Sequence, residues 1–180
     1  MILAISFAQF VGIFLRWMKM KNKGNDGRGN NPERDDWETP YQLFNILDEQ
    51  YNFTFDCCAT ESNKKTERYS NNFLEITKEI LKEEVCWMNP PFSKAKEMFD
   101  HFFKVVTKGV AIYRCDNMET KVWQDIILPN ATWIFIPKGR INYTYNPNLR
   151  NGKGTRFPSA LIGFNVELIK NITGNLLIKR

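Results

Sequence analysis

Val85-Cys86-Trp87-Met88-Asn89-Pro90-Pro91-Phe92 is the stretch on which the reading of this chain turns. Its first four residues are apolar and suit a short buried strand, and a helical pattern starts near Ser93. Two consecutive prolines fix two φ angles and remove two backbone donors. Each also pushes the residue before it into extended geometry. Asn89 and Pro90 are therefore expected in one stiff shape, with the Asn89 side-chain oxygen and the Pro90 carbonyl both able to accept hydrogen bonds at one spot. Such a pair suits a planar amino group whose two protons must be held. Phe92 adds an aromatic face on which a base can stack. Taken alone, a strand ending in Asn-Pro-Pro is also an ordinary turn.

Strand and helix patterns alternate on both sides of this stretch. Thr39 is expected to cap a helix with Pro40 at its first position, and Tyr41, Phe44, Leu47 and Tyr51 recur at helical spacing. Phe53 to Ala59 reads as a strand, and residues 74–84 as helical or irregular. Ala95 to Val106 reads as a helix with Met98, Phe99, Phe102 and Phe103 inward. Gly109–Cys115, Thr132–Pro137 and Ser159–Phe164 read as strands, Glu119–Leu128 as a helix, and Arg140–Tyr143 as a short strand. This alternation predicts an α/β fold, a mostly parallel sheet with helices on both faces. Ligands of such sheets bind outside the carboxyl ends of the strands. Asp56 and Asn89 both lie at such ends.

The 180 residues are 43% hydrophobic and 14% aromatic, which suits one globular domain with a substantial core. The net charge is +5, but five of the 25 basic residues and one of the 20 acidic ones fall in residues 1–31, so the body is nearly neutral. Any nucleic-acid surface must then be a local patch. The four cysteines form no CxxC pair and there is one histidine, His101, which argues against a zinc site and against a His-dependent triad. Reduced cysteines in a cytoplasmic protein are expected.

Met1 to Leu15 is almost wholly apolar and is followed by Arg16, Lys19, Lys21 and Lys23. It is shorter than the roughly 20 residues of a membrane span, and its positive charge follows the apolar part, opposite to a signal peptide. A start at Met18 or Met20 is the preferred reading, a hydrophobic anchor the minority one. Residues 1–34 are expected to be a leader outside the fold, and residues 35–180 the domain.

Two groups of candidate binding residues follow. Asp56 at its strand end, with Cys57, Cys58 and Ala59 after it, lets a ligand approach the backbone, and Trp37, Thr39 and Pro40 flank a helix start with free N–H groups. Residues 138–157 place Lys138, Arg140, Arg150, Lys153 and Arg156 among Tyr143 and Tyr145, a basic loop able to neutralise phosphates.

Trp37-Glu38-Thr39-Pro40 with Leu43-Phe44, Phe55-Asp56-Cys57-Cys58-Ala59 with Asn63, Asn89-Pro90-Pro91-Phe92, Arg140-Ile141 and Pro158-Ser159-Ala160-Leu161 together resemble the phage-type DNA N-6-adenine methyltransferase family. The resemblance spans roughly Asp35 to Phe164. It implies a Rossmann-like S-adenosylmethionine-dependent methyltransferase fold, S-adenosylmethionine as methyl donor, adenine in DNA as acceptor, and a phage or prophage origin. It also implies that Asn89, Pro90, Pro91 and Phe92 carry the chemistry, that Trp37, Thr39, Pro40, Asp56, Cys57, Cys58 and Ala59 hold the cofactor, and that the basic loop grips DNA. Cys57 and Cys58 depart from the small residues more usual there, and Phe92 from the commoner tyrosine. A monomer without metal or membrane attachment is expected. RNA adenine or protein glutamine as acceptor, and a catalytically inactive DNA-binding module, are the rival readings.

Overall fold

The computed structural model describes residues 35, 37–143 and 157–179. The expected leader and the loop residues Tyr145, Arg150, Lys153 and Arg156 lie outside the described residues. Seven strands form one sheet: β1 (Phe55–Asp56), β2 (Arg68–Tyr69), β3 (Val85–Met88), β4 (Lys108–Arg114), β5 (Trp133–Pro137), β6 (Ser159–Phe164) and β7 (Gly174–Lys179), in the order β2-β1-β3-β4-β6-β5-β7. The helices are α1 (Tyr41–Tyr51), α2 (Ala95–Val105) and a π-helical segment, Val122–Ile127, that runs into the short α3 (Leu128–Asn130).

Side chains alternate across the sheet, as the pleat requires, so each strand feeds two cores. Cys86, Met88, Ala111, Tyr113, Ala160 and Ile162 face one side with Met98, Phe99 and Phe102 of α2 and Trp123 of the π-helical segment. Trp87, Val110, Ile112, Trp133 and Leu161 face the other with Phe44, Leu47 and Tyr51 of α1. Both faces are thus covered. Gly163 of β6 is required by packing, since a Cβ there would lie 2.0 Å from the Trp133 ring.

The sheet is mixed, which corrects the expectation of a mostly parallel one. β2, β1, β3 and β4 are parallel neighbours. β6 runs antiparallel to both β4 and β5, and β7 antiparallel to β5. A strand buried on both faces, such as Ser159–Phe164, has the same pattern in either direction, so its sense is invisible in sequence. Three local expectations are also revised. Residues 140–143 form no strand. β1 is two residues long, although Thr54 N–H to Val85 O and Cys57 N–H to Trp87 O continue its hydrogen bonding at 2.9 Å. Thr39 does not cap α1: Pro40 occupies the cap position, and its carbonyl takes the first helical N–H groups.

The chain passes from β1 out to β2 on one side, then returns to β3 on the other side of β1. The sheet order therefore reverses between β1 and β3. In open α/β sheets such a reversal leaves a crevice at the carboxyl ends of the strands.

Candidate active site

That crevice is a cavity of about 630 Å³, within the range of small-molecule sites. Asp56 leads into its wall from β1, Asn89 and Pro91 from β3, and Asn71 from just beyond β2. Trp37, Glu38 and Thr39 cross in front of these strand ends and close another side. Trp87, Phe73 and Met98 contribute apolar floor.

Asn89 is held in one orientation. Its Nδ2 donates to the Trp37 carbonyl at 2.6 Å. A carbonyl can only accept, so the NH2 end of the amide must face Trp37 and Oδ1 must point away. Oδ1 has no hydrogen-bond donor among the described residues. Asn89 is half-buried on the cavity wall, whereas Pro90 behind it is buried. After the prolines, Phe92 begins a 3-10 turn, Phe92–Lys94, that leads into α2.

Asp56 is 3% exposed. Its Oδ1 accepts the Cys58 N–H at 3.2 Å and its Oδ2 the Lys65 N–H at 3.1 Å, which folds residues 57–65 around the cavity. Burial pushes its carboxyl up to about 6, against the pull of those two N–H groups and of the Lys65 charge. Burial also raises the thiols of Cys57 and Cys58, which disfavours thiolate chemistry.

Sequence reasoning missed Lys65. Its side chain is 2% exposed, its Nζ pairs with Glu38 Oε1 at 2.8 Å, and it sits 3.6 Å over the Tyr41 ring. Its neighbour Lys64 forms a more exposed i,i+3 pair with Glu61. Nothing local distinguishes two adjacent lysines; only the fold does. Asp35 was also missed. Its Oδ1 accepts the Ser93 N–H at 2.8 Å, and its Oδ2 accepts the Ser93 hydroxyl, so it ties the segment before α1 to the residue after Phe92.

Phe92 meets Tyr113 and Phe157 edge-on at 5.7 and 5.2 Å, and the Arg114 guanidinium, bound by both oxygens of Asp116, lies over Phe92 and Phe157. Tyr143, expected on the basic loop, is 6% exposed. Its hydroxyl donates to Ser159 Oγ at 3.0 Å, and its ring packs against Trp37 and Phe157. It is a wall of the aromatic cluster rather than a surface contact for phosphate. Lys138 and Arg140 are exposed.

Of the residues read from sequence, Trp37, Thr39, Asp56, Cys57, Cys58, Ala59, Asn89 and Pro91 share the cavity. Pro40, Pro90 and Phe92 flank its lining. Among the described residues no cluster of His, Cys, Asp and Glu is arranged to hold a metal, and no helix is long and apolar enough to cross a membrane.

A family model for DNA N-6-adenine-methyltransferase (Dam) matches residues 27–173. The chain belongs to the DNA N-6-adenine-methyltransferase (Dam) family. It is also 25% identical, over 140 residues, to the DNA N-6-adenine-methyltransferase of Haemophilus phage HP1 (strain HP1c1); the match covers 73% of this chain and 79% of the relative. The Dam-family chain is an enzyme of DNA adenine methylation, of a type found in phage. The segment that the family model matches contains every residue placed on the wall of the crevice between β1 and β3.

Proposed function

We propose that this Dam-family enzyme transfers the methyl group of S-adenosylmethionine to N6 of a target adenine in DNA, within a Rossmann-like methyltransferase domain formed by residues 35–180. The observation that carries the reading is Asn89, its NH2 end pinned to the Trp37 carbonyl and its Oδ1 left to accept.

The cavity fits the donor in size and in chemistry. Thr39 Oγ1 is buried and has no hydrogen-bond partner among the described residues, yet it lies on the cavity wall. An unpaired buried hydroxyl costs about 1–3 kcal/mol, which a polar ligand would recover. Asp56 and Glu38 supply carboxylates for an ammonium or ribose hydroxyls, and Trp37 and Phe73 supply aromatic faces. When bound, S-adenosylmethionine supplies an electrophilic methyl group on a sulfonium.

The rest is positioning by the protein. A target adenine turned out of the duplex, at a cost of a few kcal/mol, meets the Phe92 ring beside the motif. Asn89 Oδ1 and the Pro90 carbonyl accept hydrogen bonds from its two N6–H groups, which draws the nitrogen toward tetrahedral geometry and frees its lone pair; as the N–C bond forms the sulfonium S–C bond breaks to leave a thioether, and the surplus N6 proton passes to solvent. The acceptors are fixed before the substrate arrives, so little reorganisation is needed during transfer. Lys138 and Arg140, with Arg150, Lys153 and Arg156, are proposed to hold DNA phosphates.

The test is methyl transfer from labelled S-adenosylmethionine to unmethylated DNA, followed by digestion to nucleosides. N6-methyladenine in the product, lost in Asn89→Ala, is the expected result. Label in RNA or in protein glutamine, with none in DNA, would overturn the choice of acceptor.

A further inference from the structure

The segment ahead of α1 touches the Asn-Pro-Pro-Phe turn at both ends. At one end Trp37 O accepts from Asn89 Nδ2. At the other, the Asp35 carboxylate accepts both donors of Ser93, the residue directly after Phe92. Directly after Trp37 the same segment is tied across the cavity, where Glu38 pairs with the buried Lys65 and the Lys65 N–H is held by Asp56. Asp35, Trp37, Glu38, Asp56, Lys65 and Asn89 all lie on the cavity wall.

We propose that this segment is a strap that sets the orientation of the catalytic amide, with Asp35 as a positioning residue for Asn89. The inference rests on the assignment of Asn89 above and extends it to residues that touch no reacting atom. The physical need is clear from the amide itself. Asn89 can rotate about its last torsion, and its two ends have the same shape but opposite hydrogen-bonding sense. Only the Trp37 carbonyl, among the described residues, selects the productive end. That carbonyl is useful only if the strap stays in register with the turn, and the Asp35–Ser93 contact fixes that register. A carboxylate suits the position because Ser93 presents two donors, an N–H and an O–H. An alanine would release both. An asparagine would keep one and could donate to the hydroxyl in place of accepting from it.

Misplacing a reacting group by about 1 Å can cost on the order of 100-fold in rate. Asp35→Ala should therefore lower kcat for DNA methylation by about 10- to 100-fold, while calorimetric affinity for S-adenosylhomocysteine changes less than about threefold. Asp35→Asn should recover most of the loss. Ser93→Ala, which keeps the N–H contact and deletes the hydroxyl one, should lower kcat in the same sense but by less, and adding it to Asp35→Ala should change little, because the contact it deletes is already gone there. If Asp35→Ala is too unstable to assay, Asp35→Asn and Ser93→Ala carry the test through their kcat values. Full kcat in Asp35→Ala, or in Ser93→Ala where the former does not fold, would overturn the strap. So would losses that multiply independently in the double variant. A wild-type enzyme that makes no N6-methyladenine would instead sink the reading of Asn89. An active wild type, an inactive Asn89→Ala and a fully active Asp35→Ala would sink the strap alone.

Discussion

The two halves of the sheet are built on different terms. On one side, β2, β1 and β3 are two, two and four residues long, and their carboxyl ends open into the cavity. Much of the structure there is held by side chains gripping backbone: Asp56 on Cys58 and Lys65, Asp35 on Ser93, Asn89 on the Trp37 carbonyl. On the other side, β4, β6, β5 and β7 make long ladders, with seven, six, five and six residues. Trp133 is sealed there by Gly163 beneath its ring and by hydrogen bonds from its Nε1 to Val166 O and Glu167 O at 3.0 Å. Tyr51 of α1 reaches the same segment through Glu167 O at 2.8 Å. The long ladders carry stability through burial. Around the short strands the Thr39 hydroxyl is left buried without a partner, and so is left for a ligand.

The sharpest way to break this contrast is to strike each half once and ask what fails. Asn89→Ala removes a preorganised acceptor and should reduce kcat by about 10²- to 10³-fold, by analogy with loss of one oxyanion-hole group. Its melting temperature should move little. Gly163→Ala should do the reverse. A Cβ would meet the Trp133 ring at 2.0 Å, and overpacking of that kind costs about 1–3 kcal/mol. Thermal unfolding should register that loss, and kcat of the folded fraction should stay near wild type. A Gly163→Ala enzyme with wild-type stability would show that the ladder half is looser than its packing implies.

This division also explains what was legible in the sequence. β3, β4 and α2 were readable because each pairs an apolar pattern with a turn signal, and Asn89 and Asp56 were readable because they sit directly on strand ends. β2 was not: two residues, Arg68 exposed and Tyr69 half-buried, carry no alternation. β7 lies at the sheet edge with Leu176 and Leu177 exposed, so its apolar residues do not mark a buried face. The remaining site residues were invisible for a different reason. Asp35 meets Ser93 across 58 positions, and Lys65 meets Glu38 across 27. Such contacts belong to the closed crevice and leave no local pattern. Tyr143 was misplaced because an aromatic beside basic residues reads alike whether it faces solvent or, as here, the core.

Thr39 sharpens the comparison at a single atom. Its hydroxyl is the unsatisfied one on the cavity wall, so Thr39→Val, which keeps the shape and deletes the oxygen, should leave the ligand-free protein at least as stable as wild type. Affinity for S-adenosylhomocysteine, measured by calorimetry, should fall by about tenfold, the equivalent of one hydrogen bond. An unchanged affinity would mean that the hydroxyl faces the cavity without contacting what fills it.

Asp56 gives the smallest and most diagnostic effect, because stability and binding should respond to pH in opposite directions. Its carboxyl lies at about 6 in the fold against an ordinary 3.8, chiefly through burial. The folded protein therefore binds the extra proton more tightly than the unfolded chain does. That contribution to stability is complete below about pH 4, is lost as pH rises through about 6, and is absent at neutral pH. A ligand that needs the ionised carboxylate follows the opposite course. Its affinity should be constant above pH 7 and fall by about tenfold by pH 5, one decade per pH unit below 6. Calorimetric titration of S-adenosylhomocysteine from pH 5 to 8 measures this, and Asp56→Asn, which has no proton to take up there, should flatten the profile. A wild-type profile that is already flat would place the ligand's contacts elsewhere on the wall and leave Asp56 the narrower task of folding residues 57–65 around the cavity through the N–H groups of Cys58 and Lys65.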